Sequence, residues 1–218
     1  MKKAVILGAT GFVGSYVLQE LIKNNAYDEI TVYTRKQISV NSDKVKQIVT
    51  DFSDLSSIEL PEKVDSLFAC LGTTRKKTPD LKKYHFIEVE IPQFFVEQLK
   101  PRGLKSVQFI SAIGANSNAN NFYLKLKGQA EDMFKAQDLE HLSIYQPGFL
   151  MGKRPNAPLS EKIILKIVQL LDVLCVGKGA KYHSVKADFL AETMVFFDES
   201  SQKGTFTLTY GDFRTKEK

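Results

Sequence analysis

The chain has 218 residues, a formal net charge of +5, 43% hydrophobic and 25% charged side chains. These proportions exclude a disordered or fibrous chain and suit one large domain whose core needs neither disulfides nor metal. Its two cysteines, Cys70 and Cys175, lie far apart, and its three histidines (His85, His141, His183) are scattered, so reduced thiols and no metal site are expected.

Ala4 to Leu7 is a short apolar run that predicts a central parallel strand covered on both faces. It follows Lys2-Lys3, but Gly8, Thr10 and Gly11 interrupt it too soon for a signal peptide, and a cytoplasmic protein is expected. The loop Gly8-Ala9-Thr10-Gly11-Phe12-Val13-Gly14 then opens a helix whose apolar face is Val13, Val17, Leu18, Leu21 and Ile22, ending at Asn24-Asn25. Between strand and helix, this spacing predicts a dinucleotide site. Gly8 permits the tight turn, Gly11 lets the backbone approach a pyrophosphate, and Gly14 lets helix and strand pack closely. Free N–H groups at the helix start favour the phosphates.

The second strand, Ile30 to Tyr33, runs into Thr34-Arg35-Lys36 with no acid to bind ribose hydroxyls. Arg35 can stack on adenine and pair with a 2′-phosphate, which predicts a preference for NADP(H) over NAD(H). Asp51-Phe52 follows the third strand, Val45 to Val49, and could meet the adenine. Leu71-Gly72-Thr73-Thr74 follows the fourth, Ser66 to Leu71, at the edge where such cofactors lie. A helical pattern covers Leu81 to Lys100, kinked or broken at Pro92. The fifth strand is Val107 to Ile110, a helix spans Phe122 to Gln137, and the sixth strand is Leu142 to Tyr145. Beyond a loop at 152–158 come helices over Ser160 to Leu171 and Lys186 to Glu199 and a strand at Thr205 to Thr209. The alternation predicts an α/β fold, a Rossmann-like doubly wound parallel sheet with a small C-terminal elaboration. The chain reads as a single NAD(P)-binding domain over 1–218, with 151–185 facing substrate. Ile163, Ile164, Ile167, Val168 and Leu171 pack on the core, line a pocket or form a dimer face.

Tyr-x-x-x-Lys places a phenol and an ammonium one helical turn apart, which suits acid/base work on a carbonyl or alcohol. It occurs twice, as Tyr123/Lys127 and Tyr182/Lys186. Only the first follows a strand ending in a serine, Ser111, so Ser111, Tyr123 and Lys127 are the catalytic candidates. The basic clusters Arg75-Lys76-Lys77 and Lys82-Lys83 read as solvated faces rather than a nucleic-acid surface, since no recognition motif accompanies them. The apolar-rich stretch Ile163 to Val176 contains Lys166, Gln169 and Asp172 and is not a membrane span.

Leu7-Gly8-Ala9-Thr10-Gly11, Cys70-Leu71-Gly72-Thr73-Thr74-Arg75, Tyr123 to Gly128, Tyr145-Gln146-Pro147-Gly148 and His183-Ser184-Val185 together resemble the atypical branch of the short-chain dehydrogenase/reductase superfamily, in its Tat-interacting-protein-type group. The resemblance implies hydride transfer with NADP(H) and Lys127 on the nicotinamide ribose. It also implies that Pro147, Gly148 and Phe149 flank the nicotinamide. Many relatives carry a helix asparagine that completes a proton relay; the comparable stretch Phe86-Ile87-Glu88-Val89-Glu90 has none. Two readings follow: an NADP(H)-dependent oxidoreductase of a small carbonyl or alcohol, or an NADP(H)-sensing protein that regulates a partner. A sugar-nucleotide epimerase or dehydratase is disfavoured by the short chain. A monomer and a homodimer both fit.

Overall fold

In the first strand, β1 (Lys2–Leu7), Ala4 and Ile6 face one side of the sheet while Val5 and Leu7 face the other, and all four are buried. That alternation of a continuous apolar run divides the core into two layers. The computed structural model describes residues 1–152, 182–200 and 202–213.

The remaining strands of the main sheet are β2 (Tyr27–Thr34), β3 (Val45–Val49), β4 (Ser66–Ala69), β5 (Ser106–Ile110) and β6 (His141–Tyr145). With β9 (Gly204–Leu208) they form a seven-stranded sheet in the order β3-β2-β1-β4-β5-β6-β9. Every adjacent pair is parallel. The order reverses between β1 and β4, the switch point where a doubly wound sheet opens a ligand crevice at the carboxyl ends of its strands. The last strand thus completes the main sheet instead of standing in an appendage. A separate ladder pairs β7 (Leu150–Met151) with β8 (Val185–Lys186). The predicted helix Ser160 to Leu171, with Ile163, Ile164, Ile167, Val168 and Leu171, and Cys175 lie outside the described residues.

One face carries α1 (Phe12–Lys23) and α5 (Ala187–Glu199), whose Val17, Leu21, Leu190, Ala191 and Met194 pack with Ala4, Ile6 and Val32. Burying each such aliphatic side chain stabilises the fold by roughly 1.5–3 kcal/mol. Under α5, the carboxylate of Asp198 accepts bonds from the Tyr27 hydroxyl at 2.6 Å, Ser66 Oγ at 2.8 Å and Lys2 Nζ at 3.0 Å. This cluster lies at the amino ends of β1, β2 and β4, opposite the crevice.

The other face carries α3 (Ile91–Leu99) and α4 (Phe122–Lys135), through Phe95, Val96, Leu99, Leu126, Ala130 and Phe134. The helical pattern expected over Leu81 to Lys100 resolves into α2 (Leu81–His85), a π-helical turn at Phe86–Glu90, and α3. Pro92 lies in the first turn of α3. It has no N–H for the Glu88 carbonyl, and just before it the Ile91 N–H bonds Phe86, five residues back, which widens the helix at Glu88.

Candidate functional site

The glycine loop passes from β1 to α1 against the end of β4. Gly8 has φ +83°, and a Cβ there would lie 2.5 Å from the Cys70 carbonyl oxygen. A Cβ at Gly14 would lie 2.1 Å from the Gly8 carbonyl oxygen, and the Gly11 N–H donates to that same oxygen at 2.8 Å. Both turn and helix therefore need hydrogen at those Cα positions. Gly11 caps α1 with no side-chain acceptor, and the first turn holds no acid. That leaves backbone N–H groups and the positive end of the helix dipole open to an anion. Val13 is buried and offers only its backbone; Thr10 is exposed; the Phe12 ring packs edge-on to Tyr16 and beside Gly152. The cradle fits a dinucleotide pyrophosphate.

Three further loops border the crevice. Beyond β2, Arg35 and Lys36 are exposed, and the Lys36 carbonyl accepts a bond from Gln47 at 3.1 Å. Beyond β3, the Asp51 carboxylate accepts the Ser53 N–H at 2.8 Å, and bonds from Ser53 hold its pKa below the usual carboxylate value. Phe52, expected beside the cofactor, is buried. Its φ of 62° turns the ring into the core, 6.4 Å from Phe95, so it presents only backbone. Beyond β4, Gly72 and Thr74 are exposed and Leu71 is half-buried. Thr73 is anchored three ways: its N–H to Glu88 at 2.8 Å, its carbonyl to the Tyr84 hydroxyl at 3.0 Å, and its hydroxyl paired with Thr78 at 2.8 Å.

Asn121 caps α4 by accepting the Leu124 N–H, which sets Tyr123 in the first turn and Lys127 one turn on. Tyr123 is 39% exposed, whereas Lys127 is 4% exposed. The Lys127 ammonium donates to the Ile110 carbonyl at 3.0 Å and lies 2.8 Å from the Glu88 carboxylate, itself 1% exposed. Burial opposes the charge on Lys127, but Glu88 and Tyr123 outweigh it and raise its pKa above the ordinary value. The other Tyr-x-x-x-Lys pair has no such geometry: Tyr182 precedes β8 and Lys186 ends it, so no helical turn joins them.

Ser111, expected beside Tyr123, has its hydrogen bond elsewhere on α4. It is buried, and its hydroxyl donates to Glu131, one turn beyond Lys127. Glu131 also accepts Gln146 Nε2 at 2.8 Å. Ser111 therefore braces α4 against β5 and β6, because the strand's alternation turns its side chain under the helix. At the end of β6, Pro147 is buried and its carbonyl accepts the Ile113 N–H at 3.1 Å. A Cβ at Gly148 would lie 2.7 Å from the Tyr182 and His183 carbonyls, while Phe149 is 39% exposed. Glu88 and Glu131 were missed in sequence. The available signal for Glu88 was an acid among Tyr84, Val89, Ile91 and Phe95, on a stretch otherwise patterned for burial.

A parallel sheet reversing at β1/β4, with a glycine cradle at that point, defines a Rossmann-like dinucleotide-binding fold. The chain belongs to the NAD(P)H-binding family, whose profile matches residues 8–162. It is 32% identical over 151 residues to the protein named FMP52, mitochondrial, of Eremothecium gossypii, covering 69% of this chain and 67% of that one. It is 29% identical over 171 residues to HTATIP2 of Rattus norvegicus, covering 76% and 69% respectively. Among solved structures, the Bordetella bronchiseptica enzyme WbmH, in complex with NAD+, superposes with a TM-score of 0.71 at 14% identity, over all of this chain and 78% of that one. These relatives and neighbours agree with the resemblance to atypical short-chain dehydrogenases/reductases. They overturn the expectation of a cytoplasmic protein: the FMP52 relatives are named as mitochondrial proteins. No helix among the described residues is long and apolar enough to cross a membrane.

Proposed function

We propose that the chain is an NADP(H)-dependent oxidoreductase of a small carbonyl or alcohol. The observation that carries this reading is the Tyr123/Lys127 pair, one turn apart on α4. Arg35 and Lys36, exposed beyond β2 with no acid beside them, would hold a 2′-phosphate. The backbone of Gly8 to Gly14 would hold the pyrophosphate, Asp51 and the loop Leu71 to Thr74 would border the adenosine and ribose, and Pro147 to Phe149 would flank the nicotinamide. When bound, the nicotinamide supplies or accepts hydride. Tyr123 gives a proton to the substrate oxygen in reduction or takes it in oxidation. Lys127 keeps a donor for a ribose hydroxyl beyond its contacts with Ile110 and Glu88, since an ammonium has three N–H bonds.

Fluorescence titration with NADPH and NADH, followed by a carbonyl panel monitored through NADPH oxidation, tests the reading. Turnover lost in Tyr123→Phe with NADPH affinity retained is expected; turnover that persists in Tyr123→Phe removes the phenol from the mechanism. The sensor reading gains from Ser111, whose hydroxyl donates to the buried Glu131 carboxylate. Tight NADPH binding without turnover of any carbonyl would favour it.

A further inference from the structure

A cation beside the crevice has no part in the proposed reaction. Arg75 follows the loop Leu71 to Thr74 and is exposed. Its guanidinium carbon lies over the Phe122 ring, 5.6 Å from the ring centre, and Phe122 is the residue before Tyr123 on α4. The backbone around it is a closed turn. The Thr74 carbonyl accepts the N–H of Lys77 at 2.9 Å and of Thr78 at 2.8 Å, and the Thr73 and Thr78 hydroxyls pair at 2.8 Å. Tyr84 ties this turn to α4: its hydroxyl donates to the Thr73 carbonyl at 3.0 Å, and its ring meets Phe122 edge-on at 5.6 Å. The Tyr84 phenol is pushed up to about 12, first by burial and then by the charges of Glu88 and Tyr123, with Arg75 opposing. The same phenol thus neighbours both the guanidinium and the proposed acid.

None of the N–H donors of the Arg75 guanidinium is hydrogen-bonded among the described residues. The acids nearby are engaged elsewhere: Asp80 accepts the backbone N–H groups of Lys82 and Lys83, and Glu88 holds Thr73 and Lys127. A cation–π contact keeps the charge in place but leaves the guanidinium fork open. That fork takes a carboxylate through parallel N–H bonds, and its charge does not titrate at working pH. Arg75 does not duplicate Arg35. Arg35 follows β2, on one side of the β1/β4 switch, whereas Arg75 packs on α4, which joins β5 to β6 on the other.

We propose that Arg75 binds a carboxylate on the substrate, which makes the substrate class an oxo acid and the product a hydroxy acid. The carbonyl comes from the oxidoreductase reading, on which this rests; carboxylate binding itself needs no turnover. In reduction, hydride from reduced nicotinamide forms the new C–H bond at the carbonyl carbon. The C=O π pair moves to oxygen, and the Tyr123 proton completes the hydroxyl. The carboxylate stays ionised on Arg75 throughout and is not consumed. Its attachment beside Phe122 fixes which end of the substrate is left to face Tyr123 and the nicotinamide. A neutral carbonyl compound of the same length lacks that anchor.

The test takes linear oxo acids of increasing length, each beside its methyl ester, and measures their binding by calorimetry to the protein with NADP+, which has no hydride to give. NADPH oxidation by the same compounds is followed in parallel. At the length that fits, the acid should bind about tenfold or more tighter than its ester, the scale of one charge-assisted hydrogen bond. Arg75→Met should remove that advantage while leaving ester binding and NADPH affinity unchanged. Arg75→Lys keeps a charge without the fork and should keep part of it. Lys82→Gln, an exposed cation of the same basic stretch, should keep all of it. The proposal is overturned if no acid binds, if acids and esters bind alike at every length, or if the advantage survives Arg75→Met. An advantage lost equally in Lys82→Gln reports general surface charge and overturns it too. Acid preference through Arg75 without turnover upholds the carboxylate site while the proposed reaction fails. Turnover of neutral carbonyls that ignores Arg75→Met upholds the reaction while the carboxylate site fails.

Discussion

Replacing Gly14 by alanine tests the cradle most directly. The new methyl carbon would stand 2.1 Å from the Gly8 carbonyl oxygen, 2.8 Å from its carbon and 3.2 Å from Cys70 Cβ. Non-bonded heavy atoms settle at about 3.5 Å, so the Gly8 carbonyl must retreat by more than about 1 Å. It cannot do so freely, because Gly8 abuts the Cys70 carbonyl on its other side and its oxygen holds the Gly11 N–H. Overpacking of this kind costs about 1–3 kcal/mol, and in a chain this long each kcal/mol lowers Tm by about 2–4 °C. The retreat also pulls the loop away from the helix N-terminus, where phosphate would be held. NADPH affinity should drop by about tenfold or more, the equivalent of about 1.4 kcal/mol. Thermal melting and NADPH fluorescence titration measure both effects. A Gly14→Ala protein with the melting point and NADPH affinity of the parent would refute the reasoning.

Arg35→Ala should weaken NADPH by about tenfold or more while leaving NADH nearly unchanged, as expected for one lost charge-assisted phosphate contact; parallel titrations that weaken equally would remove its discriminating role. Lys127→Met strands the carboxylate of Glu88, 1% exposed, and should cost about 3–5 kcal/mol in urea unfolding, whereas Lys127→Met with Glu88→Leu should recover most of it. A double variant as unstable as the single would contradict this. At high pH, Tyr27 and Tyr145 are held protonated well above the usual 10.0, both chiefly by burial, and Lys127 above 10.5. Raised folded-state values contribute stability that is complete below about pH 10 and is lost as pH climbs through them. Urea midpoints should therefore be level below about pH 9.5 and decline beyond it, less steeply in Tyr27→Phe.

Sequence patterning located the sheet well where strands carry apolar runs flanked by breakers, as β1 and β4 do; β3 has the expected bounds, Val45–Val49, although Lys46 and Gln47 interrupt it. The glycine loop was legible because close approach leaves a chemical mark, a missing Cβ. What hid were features set by tertiary contact. Glu88 lies one turn before Pro92, where the pattern predicts a kink or break, but nothing local says that Lys127 lies across from it. The direction of Ser111 turns on which face of β5 meets α4, and that depends on the whole sheet's register. Phe52 looked like a loop residue, but a left-handed backbone returns its ring to the core. The ladder of β7 and β8 has two residues per strand, too few for any periodicity to show.

Asp198 gathers Lys2, Tyr27 and Ser66, and its partner Lys2 is 196 positions earlier in the chain. During synthesis from the amino end, β1, β2 and β4 emerge long before the residue that completes their hydrogen bonds. Until α5 is released, the Tyr27 and Ser66 hydroxyls lack their acceptor and the apolar side of β1 lacks one of its two helices. The nascent sheet thus waits, partly uncovered, until residue 198 has been made, and a chain cut short before Asp198 would expose that face to whatever folding helper or protease is nearby.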